Sequence, residues 1–240
     1  MIQIAGLEQS FGATHALRGI DLQIADGESL TILGPNAAGK TTLLRILATL
    51  LRPTRGAVLL DGVPLAHGDP AARRQIGYLA DRPLIYPHLS VQENLELFGK
   101  LYGVHPLQER VRQLLEATGL QERRFDMAGV LSLGLRQRLS FARSIIHQPP
   151  VLLLDEPFVG LDPEAMRILH DLLQQMADPL QIVIMATHDL QQGLELGTRV
   201  VILAQGRIAY QAKSTSMTLP ELYDAYWRHA KGDKPEQCST

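Results

Sequence analysis

The densest chemical signal in the chain is the run Gly34-Pro35-Asn36-Ala37-Ala38-Gly39-Lys40-Thr41-Thr42. It follows the pattern G-x-x-x-x-G-K-[ST]. Such a loop turns its backbone N–H groups inward around a polyphosphate. Its glycines allow the tight curve, its lysine reaches the outer phosphates, and its hydroxyl reaches Mg²⁺. Lys40 is the only lysine before Lys100 in an arginine-rich chain, so it is not one member of a charged surface. About 110 residues further on, Val151-Leu152-Leu153-Leu154 runs into Asp155-Glu156. On a buried strand beside the loop, Asp155 would stand at the Mg²⁺ edge, holding a metal-bound water, and Glu156 would act as general base for water. A strand ending in a solvated acidic turn would look the same in isolation. Its place after a phosphate loop favours the chemical reading.

The elements that must position these groups are legible. Ser29–Leu33 is a short apolar strand feeding the loop, and Leu43–Leu47 opens a helical run after it. Ile2–Gln9 and Leu17–Ile24 alternate as half-buried strands, with Asp26-Gly27 turning into the loop strand. Ala57–Leu60 is a strand closed by Asp61-Gly62, and Gln75–Ala80 is a strand leading to Asp81. The texture then becomes helical. Ser90 and Glu93 form a capping box, Gly103 ends the helix that follows, Pro106–Thr118 is a second helix, and Leu135–His147 a third. The block from about Arg82 to His147 is expected to be a helical subdomain inserted in an α/β core. Asp162-Pro163-Glu164 starts another helix. Gln181–Ala186 and Arg199–Ala204 are strands, and Arg207–Tyr210 pairs with the latter through Gln205-Gly206. Thr218–Glu221 opens a last helix carrying Trp227. One domain is expected over residues 1–230, with residues 231–240 a polar, disordered tail.

Composition narrows the class. The 240 residues are 45% hydrophobic and 20% charged, with net charge −2. That is an ordinary soluble composition without the basic excess of a nucleic-acid binder. The one cysteine, Cys238, excludes a disulfide framework or a cysteine metal site. No signal peptide and no apolar run long enough to cross a bilayer are evident. Any action at a membrane then requires another chain.

With these residues in place, the chain resembles the ATP-binding subunits of ABC transporters. Ser132-Leu133-Gly134-Leu135-Arg136-Gln137-Arg138 resembles the family's signature segment, Val159-Gly160-Leu161-Asp162 its D-loop, Ala186-Thr187-His188-Asp189 its switch-histidine segment, and Phe11-Gly12 its adenine-stacking position. The likeness spans roughly Ile2 to Tyr210, in the family's order. It implies a P-loop NTPase core with an N-terminal antiparallel β subdomain and an inserted helical subdomain. It implies ATP and Mg²⁺ as ligands, and a head-to-tail pair with a second ATPase subunit, identical or not. Ser132 and Gly134 of one chain would bind the γ-phosphate held by the other chain's loop, Asp162 would line that shared site, and His188 would bond the γ-phosphate and the attacking water. It further implies an integral membrane permease as partner, the segment Arg82–Leu89 as part of its docking groove, and a peripheral position on the cytoplasmic face of the membrane. That segment could instead simply pack on the helical subdomain. The run from Tyr86 to Gly103, and Asp155-Glu156-Pro157-Phe158, are similar to haem-exporter ATPases of cytochrome c maturation, and equally to drug- and lipid-export ATPases.

Three positions depart from the family pattern. Ala37 replaces a loop glycine, which matters only if that position needs φ > 0. Leu133 and Leu135 replace a glycine and a polar residue of the signature, which is expected to alter packing. Asp81 stands where glutamine is usual, and would either ligate Mg²⁺ or turn to solvent. Two other classes compete with a transport ATPase. A soluble ABC ATPase acting on ribosomes or DNA would be expected to carry two ATPase units or a coiled-coil insertion. A small-molecule kinase would need an acceptor lid and leaves the signature segment unexplained.

Overall fold

The computed structural model describes residues 1–175 and 181–231, and the chain divides into two compact units, Met1–Arg73 with Ile182–Thr240, and Arg74–Gln181. Most of the tail expected to be disordered, with Cys238, lies outside the described residues.

The first unit begins with the antiparallel hairpin β1 (Ile2–Phe11) and β2 (Thr14–Ile24). β3 (Ser29–Leu33) feeds the phosphate loop, and α1 (Lys40–Leu47) follows it. β4 (Arg55–Leu60) pairs with β1 and, through a tight turn at Asp61-Gly62, with the short β5 (Val63–Pro64). α2 (Pro70–Arg74) closes this stretch. β3 lies between two later strands of the same unit, parallel to both. These are β8 (Ile182–Thr187) and β9 (Arg199–Ala204). β3 is buried from Leu30 through Leu33, so apart from Thr31 it reads as an apolar run rather than an alternating one, as a parallel strand buried on both faces does. β10 (Arg207–Lys213) returns antiparallel to β9. Gln205 and Gly206 have φ of 49° and 78°, the left-handed pair that matches a hairpin to strand twist.

The first unit ends with α7 (Leu190–Leu196) after β8 and α8 (Leu219–Tyr226) after β10. Leu33, Leu190, Val200, Ile202, Leu222 and Tyr226 form one buried cluster, so the end of the loop strand is packed directly under both helices. Trp227 caps α8 and begins a π-helical turn, Trp227–Lys231, rather than lying on the helix itself.

In the second unit, β6 (Ile76–Leu79) and β7 (Val151–Asp155) are parallel neighbours. Between them in sequence lie α3 (Val91–Tyr102), α4 (Leu107–Ala117) and α5 (Leu133–Ser144), and α6 (Pro163–Gln175) follows β7. The Ser90 capping box is formed in full, and Gly103 (φ 69°) ends α3. α5 starts two residues earlier than the sequence pattern suggests, because Ser132 caps it, and stops three residues sooner. The early stop is local: Pro149 and Pro150 have no N–H to donate to the carbonyls of Ile145 and Ile146. Arg110 of α4 donates to those two carbonyls instead, at 2.8 and 3.2 Å. α2, α7 and β5 are short and carry no periodic signal of their own.

Candidate functional site

The phosphate loop is a close-fitted cradle. A Cβ on Gly34 would lie 2.3 Å from the Leu203 carbonyl oxygen, and one on Gly39 would lie 2.6 Å from that of Ala16. Gly39 (φ 108°) is the N-cap of α1, and no side chain caps that helix. Lys40 is buried, and its Nζ donates to the carbonyls of Gly34 at 2.7 Å and Pro35 at 3.4 Å. An ammonium held inside a ring of backbone dipoles, at an uncapped helix N-terminus with no acid in its first turn, suits a polyphosphate. Thr41 and Thr42 lie in that first turn. The loop also rests on the hairpin: the Gly206 N–H donates to the Ala38 carbonyl and the Arg18 N–H to the Gly206 carbonyl. Phe11, at the hairpin tip, is half exposed (50%), as a stacking surface must be.

Ala37 has φ 64°. The condition attached to this position is therefore met: the loop requires a left-handed residue where the chain carries a Cβ.

His188 is exposed between two fixed points. Thr187 Oγ1 accepts from the Asp189 N–H at 3.1 Å, and Asp189 caps α7 by accepting from the Gln192 N–H at 3.0 Å. Pro35 and Asn36 of the loop, His188 with Asp189, and Tyr223 and Trp227 near the C-terminal helix line one open cleft of ≈ 500 Å³. The structure thus brings the phosphate loop and the switch-histidine segment to the same opening. The aromatic wall of that opening carried no sequence signal, because only folding places α8 there.

The second unit gathers a different set. Asp155 is wholly buried (0%) at the end of β7 and accepts from the Tyr78 hydroxyl at 3.2 Å. Glu156 is partly buried and has φ 48°, a strained conformation for a residue with a Cβ. Ser132 is exposed as the N-cap of α5, its Oγ accepting from the Leu135 N–H at 3.4 Å. Gly134 fits closely against α6: a Cβ there would meet that of Ala165 at 3.0 Å. Asp162 caps α6, accepting from the Ala165 N–H at 2.8 Å. Leu133, one of the departures in the signature, lies beside Gly160, where an added Cβ would meet its side chain at 3.0 Å. Gln137, buried on α5, donates to the Pro157 carbonyl at 3.0 Å. It ties the signature helix to the turn that carries Glu156. Sequence reading assigned no role to Gln137 or Tyr78, because each acts through a contact distant in the chain. Asp81 is exposed.

The Asp155 carboxylate is a hard oxygen donor of the kind that suits Mg²⁺. The burial of the Asp155 carboxylate is that of a group built to meet a cation or strong donors rather than bulk water.

Residues 17–159 match the ABC transporter family. The chain belongs to the ABC transporter family. It is 35% identical over 209 residues to an uncharacterized ABC transporter ATP-binding protein of Bacillus subtilis, covering 87% of this chain and 68% of that one. It is 40% identical to a sulfate/thiosulfate import ATP-binding protein of Methylococcus capsulatus, covering 86% and 61%. It is 33% identical to a Nod factor export ATP-binding protein of Cupriavidus metallidurans, covering 89% and 71%. Among solved structures, a dimeric ATP-binding cassette in a post-hydrolysis state bound to ADP and Pi superimposes with TM-score 0.81 at 27% identity, covering 89% of this chain and 99% of that one. The fold is therefore the P-loop ABC ATPase fold, and the chain is an ATP-binding, ATP-hydrolysing subunit.

Two further surfaces bear on partners. The Arg82–Leu89 segment is pinned by its backbone: Tyr86 exchanges hydrogen bonds with the Asn94 amide, at 2.8 and 3.0 Å, and Ala128 and Gly129 donate to Leu89 and Pro87. Yet the side chains of Leu84 and Tyr86 stay exposed, as do Phe125, Met127 and Val130. Among the described residues, no helix is long and apolar enough to cross a membrane.

Proposed function

We propose that this ATPase powers a separate membrane permease by ATP-driven pairing with a second ATPase subunit, and that the transport it drives is export. The observation that carries the ATPase chemistry is the single cleft lined by Asn36 and His188. It supports this reading because His188, which would act as the switch, shares an opening with the loop that would hold the phosphates.

Lys40 would balance the outer phosphate charge, the N–H groups from Gly34 through Thr42 would cradle the chain of phosphates, and Phe11 would stack on the adenine. Glu156 would accept the proton of the attacking water, with His188 bonding the γ-phosphate side. Mg²⁺, when bound, would neutralise phosphate charge, and Asp155, Thr41 and Asp81 are the residues that would hold it. Ser132, Gly134 and Asp162 would serve the nucleotide of the partner subunit, Ser132 and Gly134 from an exposed helix N-terminus.

The membrane partner is inferred from the exposed apolar residues Leu84, Tyr86, Phe125, Met127 and Val130 on a rigidly pinned backbone. Exposed large apolar side chains on two hydrogen-bonded loops are the kind of feature that marks a protein contact. The chain would then sit on the cytoplasmic face of the membrane through that permease, with no nucleic acid involved. Export is favoured by the similarity of Tyr86–Gly103 to haem and drug- or lipid-export ATPases, and by relatives named for Nod factor export and daunorubicin resistance. The similarity to sulfate/thiosulfate import ATPases makes direction an experimental matter.

The test is Glu156→Gln. The amide keeps the shape but takes no proton, so ATP should bind, turnover should stop, and a dimer should accumulate on size-exclusion with ATP. Near-normal hydrolysis would remove Glu156 as base. Co-purification with an integral membrane protein, followed by uptake into inverted vesicles with ATP, tests partner and direction together. A partner that loads only right-side-out vesicles would overturn export.

A further inference from the structure

We propose that Tyr78 is a positioning residue for Asp155, holding the buried carboxylate in the orientation from which it serves the metal. The inference rests on the reading of Asp155 as a metal group and extends it to a residue with no assigned role.

Asp155 is the last residue of β7, and Tyr78 lies on β6, its parallel neighbour, where it registers against Leu153. Two residues apart on adjoining parallel strands, both side chains leave the same face of the sheet. The Tyr78 hydroxyl therefore reaches along that face to Asp155 Oδ2, at 3.2 Å. An aspartate turns about one χ1 and one broad χ2, and each hydrogen bond to its carboxylate narrows that freedom. One phenolic donor on one oxygen fixes which oxygen faces which way. A carboxylate has about four acceptor directions, so this bond does not exhaust it.

The donor is itself anchored. Buried Arg143 on α5 donates from Nη2 to the Tyr78 carbonyl at 2.6 Å, and its guanidinium lies 5.1 Å over the Phe98 ring. A Cβ on Gly77 would lie 2.3 Å from the Ser144 carbonyl oxygen, so the backbone just before Tyr78 is in contact with α5 and has no room to shift. The phenol thus projects from a backbone fixed on two sides. The arrangement is the usual outer partner of a metal-binding side chain, and removal of such partners lowers metal affinity by about 10–100-fold.

The experiment uses the full chain with ADP and Mn²⁺ as a paramagnetic substitute, titrated by EPR so that metal occupancy is read without turnover. Five proteins are compared: wild type, Tyr78→Phe, Tyr102→Phe as a hydroxyl-deletion control in the same unit, Asp155→Ala, and the Tyr78→Phe/Asp155→Ala double variant. Tyr78→Phe should weaken Mn²⁺ binding about tenfold, while ADP affinity in EDTA stays at the wild-type value and the melting temperature without metal falls by only a few degrees, the cost of one lost buried hydrogen bond. Tyr102→Phe should match wild type. Wild-type Mn²⁺ affinity in Tyr78→Phe, with Asp155→Ala impaired, would overturn the positioning role alone. Wild-type affinity in Asp155→Ala would overturn the metal reading itself. A loss of ADP affinity in EDTA as large as the loss of Mn²⁺ affinity would assign Tyr78 to general packing and likewise overturn the proposal. Adding Tyr78→Phe to Asp155→Ala should cost nothing further, and an additional loss would show that the hydroxyl acts elsewhere.

Discussion

Replacing Ala37 by glycine should make the protein more stable, although alanine is ordinarily the more stabilising of the two. Ala37 sits at φ 64° with its methyl exposed, so the side chain contributes no burial. Holding a residue with a Cβ in the left-handed region costs about 1–2 kcal/mol, a cost that glycine escapes. Glycine adds freedom to the unfolded chain, which opposes the gain by about 0.4–1 kcal/mol. The difference is a gain of about 0.5–1 kcal/mol, or roughly 1–3 °C in Tm for a chain of this length. The adjoining position supplies the contrast. Ala38 is buried and has no positive φ. Ala38→Gly gives up a buried methyl worth about 0.8 kcal/mol together with the same entropy, so it should lower Tm by about 2–5 °C. Thermal unfolding of both variants without nucleotide, followed by ATP titration, reads the result. Because the loop binds through backbone donors, Ala37→Gly should keep ATP affinity within about twofold. An Ala37→Gly protein melting at or below wild type would refute the argument that this loop stores strain at Ala37.

Ser132 should matter across the dimer: neither Ser132→Arg nor Lys40→Ala should hydrolyse ATP alone. An equal mixture should recover about a quarter of wild-type activity, from random pairing with one intact site of two in half the dimers; a dead mixture of folded, dimerising variants would exclude shared sites. Asp81→Gln should relax the dependence of ATPase rate on free Mg²⁺ and leave ATP affinity equal or better, because the amide brings no charge toward the phosphates; superimposable Mg²⁺ curves would remove Asp81 from the metal site. His147 is held neutral by burial, aided by the charges of Arg143 and Arg110, and its pKa falls from 6.5 to about 4 against the opposing hydrogen bond to the Ile76 carbonyl. The unfolded chain therefore binds the extra proton first, so this stabilisation is complete above pH 6.5 and is lost as pH falls toward 4, by on the order of 3 kcal/mol. Denaturant titrations across that window should show His147→Leu with a flatter pH slope than wild type, and parallel slopes would contradict the assignment.

Much of the chemistry was written locally. The phosphate loop, the Asp155-Glu156 strand end, the Ser90 and Asp162 caps and the Gln205-Gly206 turn each depend on residues within a few positions of one another. Backbone geometry and hydrogen-bond reach act over the same few positions, so these features survive in the bare sequence. The loop's strand was legible for a related reason: a strand buried on both faces reads as a mostly apolar run, and after Ser29 this one is broken only by Thr31. Other features depended on partners far along the chain. The left-handed backbone at Ala37 follows from a cradle closed by Ala16, Leu203 and Gly206, none of them near it in sequence. The carbonyls left free beyond α5 are satisfied by Arg110, 35 and 36 residues away. The exposed apolar surface includes Phe125, Met127 and Val130, which no periodic pattern distinguishes from core residues. The aromatic wall facing His188 exists only because α8 packs beside α7. Tyr78 reads as an ordinary strand residue until strand pairing brings its hydroxyl to Asp155. Residue spacing along the chain records which groups are available, while their directions and their distant partners are set by packing, because a side chain's neighbours across a sheet or a helix pair leave no trace in its own segment.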